Sequence, residues 1–140
     1  MRGHECHDLI KTAVEAIVPD FRADAADRFV FDDDESSEEA RPQRACLFIQ
    51  GQLRPPGTMT GGNTRAAGRI EVYYADTPQI GVVVLSDGEQ MMRTLRGLGR
   101  AQHPDFYGIV ELGDWVPESR DGQVVASIDF VWAYNLTWGA

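Results

Sequence analysis

The residues best equipped for chemistry open the chain. His4-Glu5-Cys6-His7 sets two imidazoles, a carboxylate and a thiol side by side. Such groups hold a transition metal only when three or four converge at a defined spacing, as paired CxxC motifs do. No second cluster answers them, because His103 and Cys46 stand alone. The plainer reading is the first turn of a helix, with no metal. The acidic run from Asp32, Asp33 and Asp34 through Glu39 suggests a calcium loop. That loop requires glycine at its sixth position, where Ser37 stands. A solvated loop fits better, with contact to a basic partner as the functional alternative. Gly97-Leu98-Gly99 follows a helical stretch instead of a strand and lacks a third glycine, so it does not read as a dinucleotide loop. Residues 58–64 lack the Gly-Lys-Ser/Thr of a phosphate loop. There is no GxSxG, no cysteine with a visible histidine partner, and no carboxylate pair in an acid/base setting. The expectation is a protein without cofactor or catalytic residue.

Two groups of side chains suit binding better than catalysis. Arg93, Arg96 and Arg100 recur at helical spacing, and Arg65 and Arg69 share a strand face. A solvated face explains them, since cations are favoured near a helix C-terminus. The functional alternative is a basic stripe that meets the acidic first quarter of a neighbouring copy, in a head-to-tail contact that closes into a ring. Trp132, Tyr134 and Trp138 cluster near the end of the chain. Core is the plain reading, above all for Trp132. Large aromatics are also enriched at the centres of interfaces.

Charge placement supports the head-to-tail idea. Residues 1–40 carry 12 acids and 4 bases, whereas residues 41–140 carry 10 acids and 9 bases, so almost all of the net charge of −9 lies in the first quarter. An acidic surface disfavours tight binding to duplex DNA, which needs clustered bases. The basic residues are twelve Arg and one Lys, a bias that a GC-rich genome would also produce. The start, MRGHECHD, has no apolar segment of a signal peptide, and the apolar run at 80–85 is far too short to span a bilayer. Two cysteines among 140 residues make no disulfide framework, and Cys46, inside an apolar run, reads as a buried free thiol. A reducing cytoplasm is the expected setting. At this length one α+β domain with a sizeable core, spanning 1–140, is expected.

The elements that must position these residues follow from periodicity. Leu9, Ile10, Ala13, Val14 and Ile17 mark a helix over 5–18, ended by Pro19. Residues 28–31 read as a short edge strand, and 32–43 as a flexible loop. Residues 44–53 alternate as a strand, with Ala45, Leu47, Ile49 and Leu53 on one face and Cys46, Phe48, Gln50 and Gln52 on the other. A Gly/Pro loop over 54–64 leads to a strand over 65–75, with Ile70, Val72 and Tyr74 on one face. Two readings cover 78–97. Thr77 as N-cap and Pro78 as first residue start a single helix. Alternatively a strand over 80–85 precedes a helix from 87, favoured by the valine run and by Gly88. The single helix is preferred. A strand over 106–112 and a turn over 117–122, with Asp121-Gly122 as a hairpin signal, come next.

The closing strand is the clearest pattern. Val124, Ala126, Ile128, Phe130, Trp132, Tyr134, Leu136 and Trp138 fall on one face. A slip of one residue would bury the polar set, so register is well specified. At about 3.3 Å per residue the segment spans roughly 50 Å. A compact chain of this size has a radius of gyration of only about 14 Å. The expectation is that the strand outruns its own domain, that residues from Trp132 onward contact a neighbour, and that deleting 135–140 impairs assembly more than folding.

Taken in order, the opening helix (HDLIKTAVEAIV), the strand RACLFIQGQL, the strand RIEVYYAD leading into a second helix, and the closing VVASIDFVWAYNL resemble the tail terminator and tail-completion proteins of long-tailed bacteriophages. The likeness lies in pattern and order over nearly the whole chain, with no sharp motif. It implies an α+β subunit with a mixed, mostly antiparallel sheet of about four to five strands and two helices packed on one face. It further implies a homo-oligomeric ring, typically of six copies, that caps the tail tube and joins it to the head–tail connector or stopper protein. Genomic DNA would pass through as cargo, no membrane or cofactor would be involved, and the protein would end in the virion after assembly in the host cytoplasm. Another neck or tail part, such as a head–tail adaptor or the tail tube, is the near alternative. A small cytoplasmic ligand-binding or enzyme domain is the remote one.

Overall fold

A computed structural model describes residues 1–32, 41–56 and 61–137. The elements run α1 (Gly3–Glu15), β1 (Val30–Phe31), β2 (Ala45–Leu53), β3 (Gly61–Ala75), α2 (Ile80–Arg96), β4 (Phe106–Arg120) and β5 (Gln123–Thr137). The five strands form one mixed sheet in the order β1-β2-β3-β5-β4, in which only the β1–β2 pair is parallel. This is the expected α+β fold.

Both helices pack on one face of the sheet. Cys6, Ile10 and Val14 of α1, and Ile80, Val84, Met91 and Leu95 of α2, share one core with the even-numbered residues of β3 and β5. That core holds Ile70, Val72 and Tyr74 from β3 and Ile128, Phe130, Trp132 and Tyr134 from β5. The alternation that specified the strands therefore also selected which face the helices cover.

The length of the closing strand has an internal explanation. β3, β4 and β5 are each 15 residues long, and β3 pairs with β5 without a break from Gly61↔Thr137 to Ala75↔Gln123. The sheet is elongated, and β5 runs inside it between β3 and β4. The expectation that residues from Trp132 onward reach a neighbouring subunit is corrected for the described part. Trp132 and Tyr134 are 1% exposed and Leu136 is 9% exposed. Asn135 N–H donates to the Asp105 carbonyl at 2.8 Å, and Thr137 N–H to that of Met1 at 3.2 Å. Trp138 lies outside the described residues.

Several boundaries move. α1 covers Gly3–Glu15 instead of 5–18 and ends with Ala16 as C-cap, before Pro19 is reached. β3 starts at Gly61, so part of the expected 54–64 loop is strand, because β5 offers partners that far. β4 continues through Pro117 to Arg120, reducing the 117–122 turn to Asp121-Gly122. The proline is tolerated because β4 is an edge strand. Positive φ at both turn residues, 52° and 78°, matches the hairpin turn in which two left-handed residues follow the twist of the strands. Finally, α2 begins at Ile80 with Gln79 as N-cap, and no side chain caps it. Thr77 serves through its carbonyl, which accepts the Ile80 N–H at 3.1 Å.

Residues 80–85 are helix, so the strand alternative there is excluded. The reason is tertiary. Val84 is buried under the helix, and Gly88 is where Trp115 of β4 lies against it: a Cβ at 88 would fall 2.4 Å from the Trp115 ring. The Trp115 indole N–H donates to the Val84 carbonyl at 3.0 Å. Gly88 serves close packing at the helix–strand contact.

Candidate assembly surface

The site residues read from sequence separate into three places. Arg93, Arg96 and Arg100 are exposed, in the last turn of α2 and just beyond it. The guanidinium of Arg100 sits 4.8 Å from the centre of the Tyr107 ring on β4, a cation–π contact at that edge of the sheet. Asp32 follows β1 at the opposite edge and forms a 2.9 Å ion pair with Arg41. Asp33 and Asp34 lie outside the described residues. Trp132 and Tyr134 occupy the core, where Phe48, Phe130 and Trp132 pack ring to ring with centroids 5.6–5.8 Å apart. The structure thus keeps the arginines together and sets them at the far edge from Asp32.

The opening cluster disperses. Cys6 is fully buried, and burial pushes its thiol up to about 12. His7 stacks on Phe48 at 4.1 Å and shares a short hydrogen bond with Gln50. Among the described residues, no group of three His, Cys, Asp or Glu side chains is placed to hold a metal. Cys46 is a buried free thiol, and burial raises its pKa strongly. Among the described residues, no helix is long and apolar enough to cross a membrane.

Sequence reasoning missed two features. The first is a buried polar centre. Arg44, with φ of 60°, turns its side chain inward between β2 and α2, where it is 1% exposed. Its Nε donates to Asp87 Oδ2 at 2.7 Å and its Nη2 to Asp87 Oδ1 at 3.2 Å. Nη1 donates to Asp27 Oδ2 at 2.6 Å, and Nη2 also reaches the Phe21 carbonyl. Tyr74 O–H donates to Asp87 Oδ2 at 2.8 Å. Burial alone would lower the Arg44 pKa, but the two carboxylates more than offset it and the net direction is up. Burial, then the neighbouring Asp87 charge, holds the Tyr74 hydroxyl well above its usual range. With Asp87 fully enclosed and its charge matched, the centre ties residues 21–27 to α2 and the sheet. One signal for it was available: Asp87 interrupts the buried stripe of α2.

The second feature is the helix-free face of the sheet. At one end, residues 41–44 lie across it. Arg41 stacks 5.0 Å from the Tyr73 ring centre, and its backbone exchanges hydrogen bonds with the Gln123 side chain at 2.9 and 3.2 Å. Ala45, Leu47 and Val125 are buried there. Glu71, 5% exposed, pairs with Arg120 at 3.3 Å.

The other end of this face is bare. There Ile49, Gly51, Ala67, Gly113 and Val131 line a trough of about 620 Å³, bordered by the Arg69–Asp129 pair and by Glu111. A second hollow, lined by Leu53, Arg54, Arg65 and Val131, continues it. The small residues matter, since their short side chains leave the floor low. Apolar floor with a charged border is the anatomy of an interface. The signal was that the first half of the 44–53 strand is apolar on both faces, with Ala45, Leu47 and Ile49 on one and Cys46 and Phe48 on the other.

Compared with known proteins, the chain matches no family model and no curated sequence.

Proposed function

We propose that this chain is a structural subunit that assembles with copies of itself into a ring. In this reading it belongs to the tail or neck of a long-tailed bacteriophage. The ring, of six copies, caps the tail tube and joins it to the head–tail connector or stopper protein. Genomic DNA passes through it, and the protein carries no catalytic site. The observation that supports assembly best is the half-covered sheet. Residues 41–44 close one end of the helix-free face, while at the other end no described residue covers the Ile49, Ala67 and Val131 floor. A second support is directional. Arg100 and the Asp32–Arg41 pair lie toward opposite edges of the sheet, an arrangement that suits a head-to-tail contact. The phage assignment itself rests on the order of elements and on the two helices sharing one face. Native mass measurement and negative-stain imaging test the reading. Closed rings, alone or on purified tails lacking their own terminator, are expected. A strict monomer that leaves such tails unchanged would sink it. A metabolite or metal that sharply raises the melting temperature would favour a ligand-binding domain instead.

A further inference from the structure

The exposed stripe of α2 carries a second apolar patch. Val82 is 59% and Leu85 63% exposed, on the side of α2 that turns away from the core. Glu89 follows one turn later and is exposed, with no ion pair among the described residues. The bare end of the sheet lies on the opposite side of the two-layer fold. It offers a floor of Ile49, Ala67 and Val131, and next to it the exposed Arg54 and Arg65, also without ion pairs among the described residues.

From these facts we infer that the bare end of the sheet is the docking site for α2 of a second copy of this chain. This rests on the ring reading and specifies its contact. Val82 and Leu85 of one copy would seat on Ala67 and Val131 of the next, and Glu89 would meet Arg54 and Arg65. Three considerations select this occupant. Both surfaces are apolar patches of the same molecule, each left uncovered by the described residues of its own chain. They lie on opposite faces, so they cannot meet within one chain, and a contact between them is heterologous and propagates. Their charges complement each other: a carboxylate unpaired among the described residues sits a helical turn beyond the apolar pair, and two guanidinium groups, likewise unpaired, sit beside the trough and outnumber the single Glu111 carboxylate that lines both hollows. The low floor at Gly51, Ala67 and Gly113 gives a helix room to approach.

Two variants test this by complementation. Leu85→Asp spoils the helix patch and leaves the trough intact, whereas Val131→Asp does the reverse. Both positions are solvent-accessible, and circular dichroism with a melting curve checks that each variant folds. Each alone should fail to assemble. Mixed, they should give a one-to-one dimer that grows no further, because only one good contact remains. A charge swap adds an independent readout. Glu89→Arg alone should weaken association about tenfold or more, and adding Arg65→Glu to the same chain should recover most of that loss. If either Asp variant still assembles like the wild type, or if the mixture stays monomeric, the α2–trough contact is wrong while the ring reading survives. If the wild type itself is monomeric at every concentration, both readings fall.

Discussion

Removing the carboxylate at Asp87 is the sharpest perturbation the structure offers. In Asp87→Ala, Arg44 loses both of its bonds to that carboxylate, at 2.7 and 3.2 Å, and keeps only Asp27 and the Phe21 carbonyl. Tyr74 O–H, buried and bonded at 2.8 Å, loses its acceptor. Breaking a buried ion pair on one side costs about 3–5 kcal/mol, because the remaining charge stays desolvated. An orphaned hydroxyl adds about 1–3 kcal/mol. These costs overlap, so a loss of about 4–5 kcal/mol is expected, against a total stability of about 5–15 kcal/mol for a domain. Urea unfolding at fixed protein concentration measures it, and the melting temperature should fall by roughly 10–20 °C. Replacing both partners, as Arg44→Met with Asp87→Leu, should recover much of the loss, since no buried charge is then left alone. Two results would refute the reasoning: a cost below about 1 kcal/mol for Asp87→Ala, or a double variant worse than the single one.

Other perturbations probe different parts of the fold. Gly88→Ala gains helix propensity worth about 1 kcal/mol but drives a Cβ to 2.4 Å from the Trp115 ring, so a net loss of about 1–2 kcal/mol is expected in the same urea assay. Trp132→Ala empties the aromatic cluster and should cost about 3–5 kcal/mol, read by denaturant unfolding, with no selective effect on assembly. A chain cut after Tyr134 loses the buried Leu136 and the hydrogen bonds of Asn135 and Thr137. It should melt well below the full chain by circular dichroism, and an unchanged melting temperature would restore the idea of a strand that serves assembly alone. Alkaline pH should destabilise the protein. Cys6 titrates at 9.0 when exposed and at about 12 when buried, so the folded state holds the proton longer. That stabilisation is complete below pH 9.0 and fades as pH climbs toward about 12. Cys46 and Tyr74 act in the same direction. Stability should therefore decline through this window, by up to about 1.4 kcal/mol per pH unit for each group, read as a falling melting temperature, and less steeply in Cys6→Ala.

Much of the fold was legible because period and burial coincide. Alternation through Val124 to Leu136 specified β5 and its core face without outside help. Asp121-Gly122 specified the hairpin, since few residue pairs accept two left-handed conformations. Residues 80–85 were not decided that way. A run of valines suits a strand locally, and only burial against the sheet, with Trp115 filling the space at Gly88, makes it helix.

The candidate site was less legible, and for a physical reason. An apolar residue carries the same pattern whether it faces its own core or an uncovered surface. Trp132 and Tyr134 looked like an exposed end because β5 seemed too long, yet β3 pairs with it without a break and β4 runs beside it, with shifts of register, as far as Tyr134. Conversely, Ile49 lies on a strand with apolar residues on both faces, and neither it nor Val131 showed which of the two faces the described chain would leave uncovered. The sequence by itself determined most of the secondary elements, with 80–85 the exception, and also the inward faces of the strands and the acidic first quarter, because these depend on neighbours in the chain. Only the tertiary structure decided which sheet face the helices leave open, and that Arg44, Asp87 and Tyr74 meet. Those outcomes depend on contacts between residues far apart in sequence, and no local pattern encodes them.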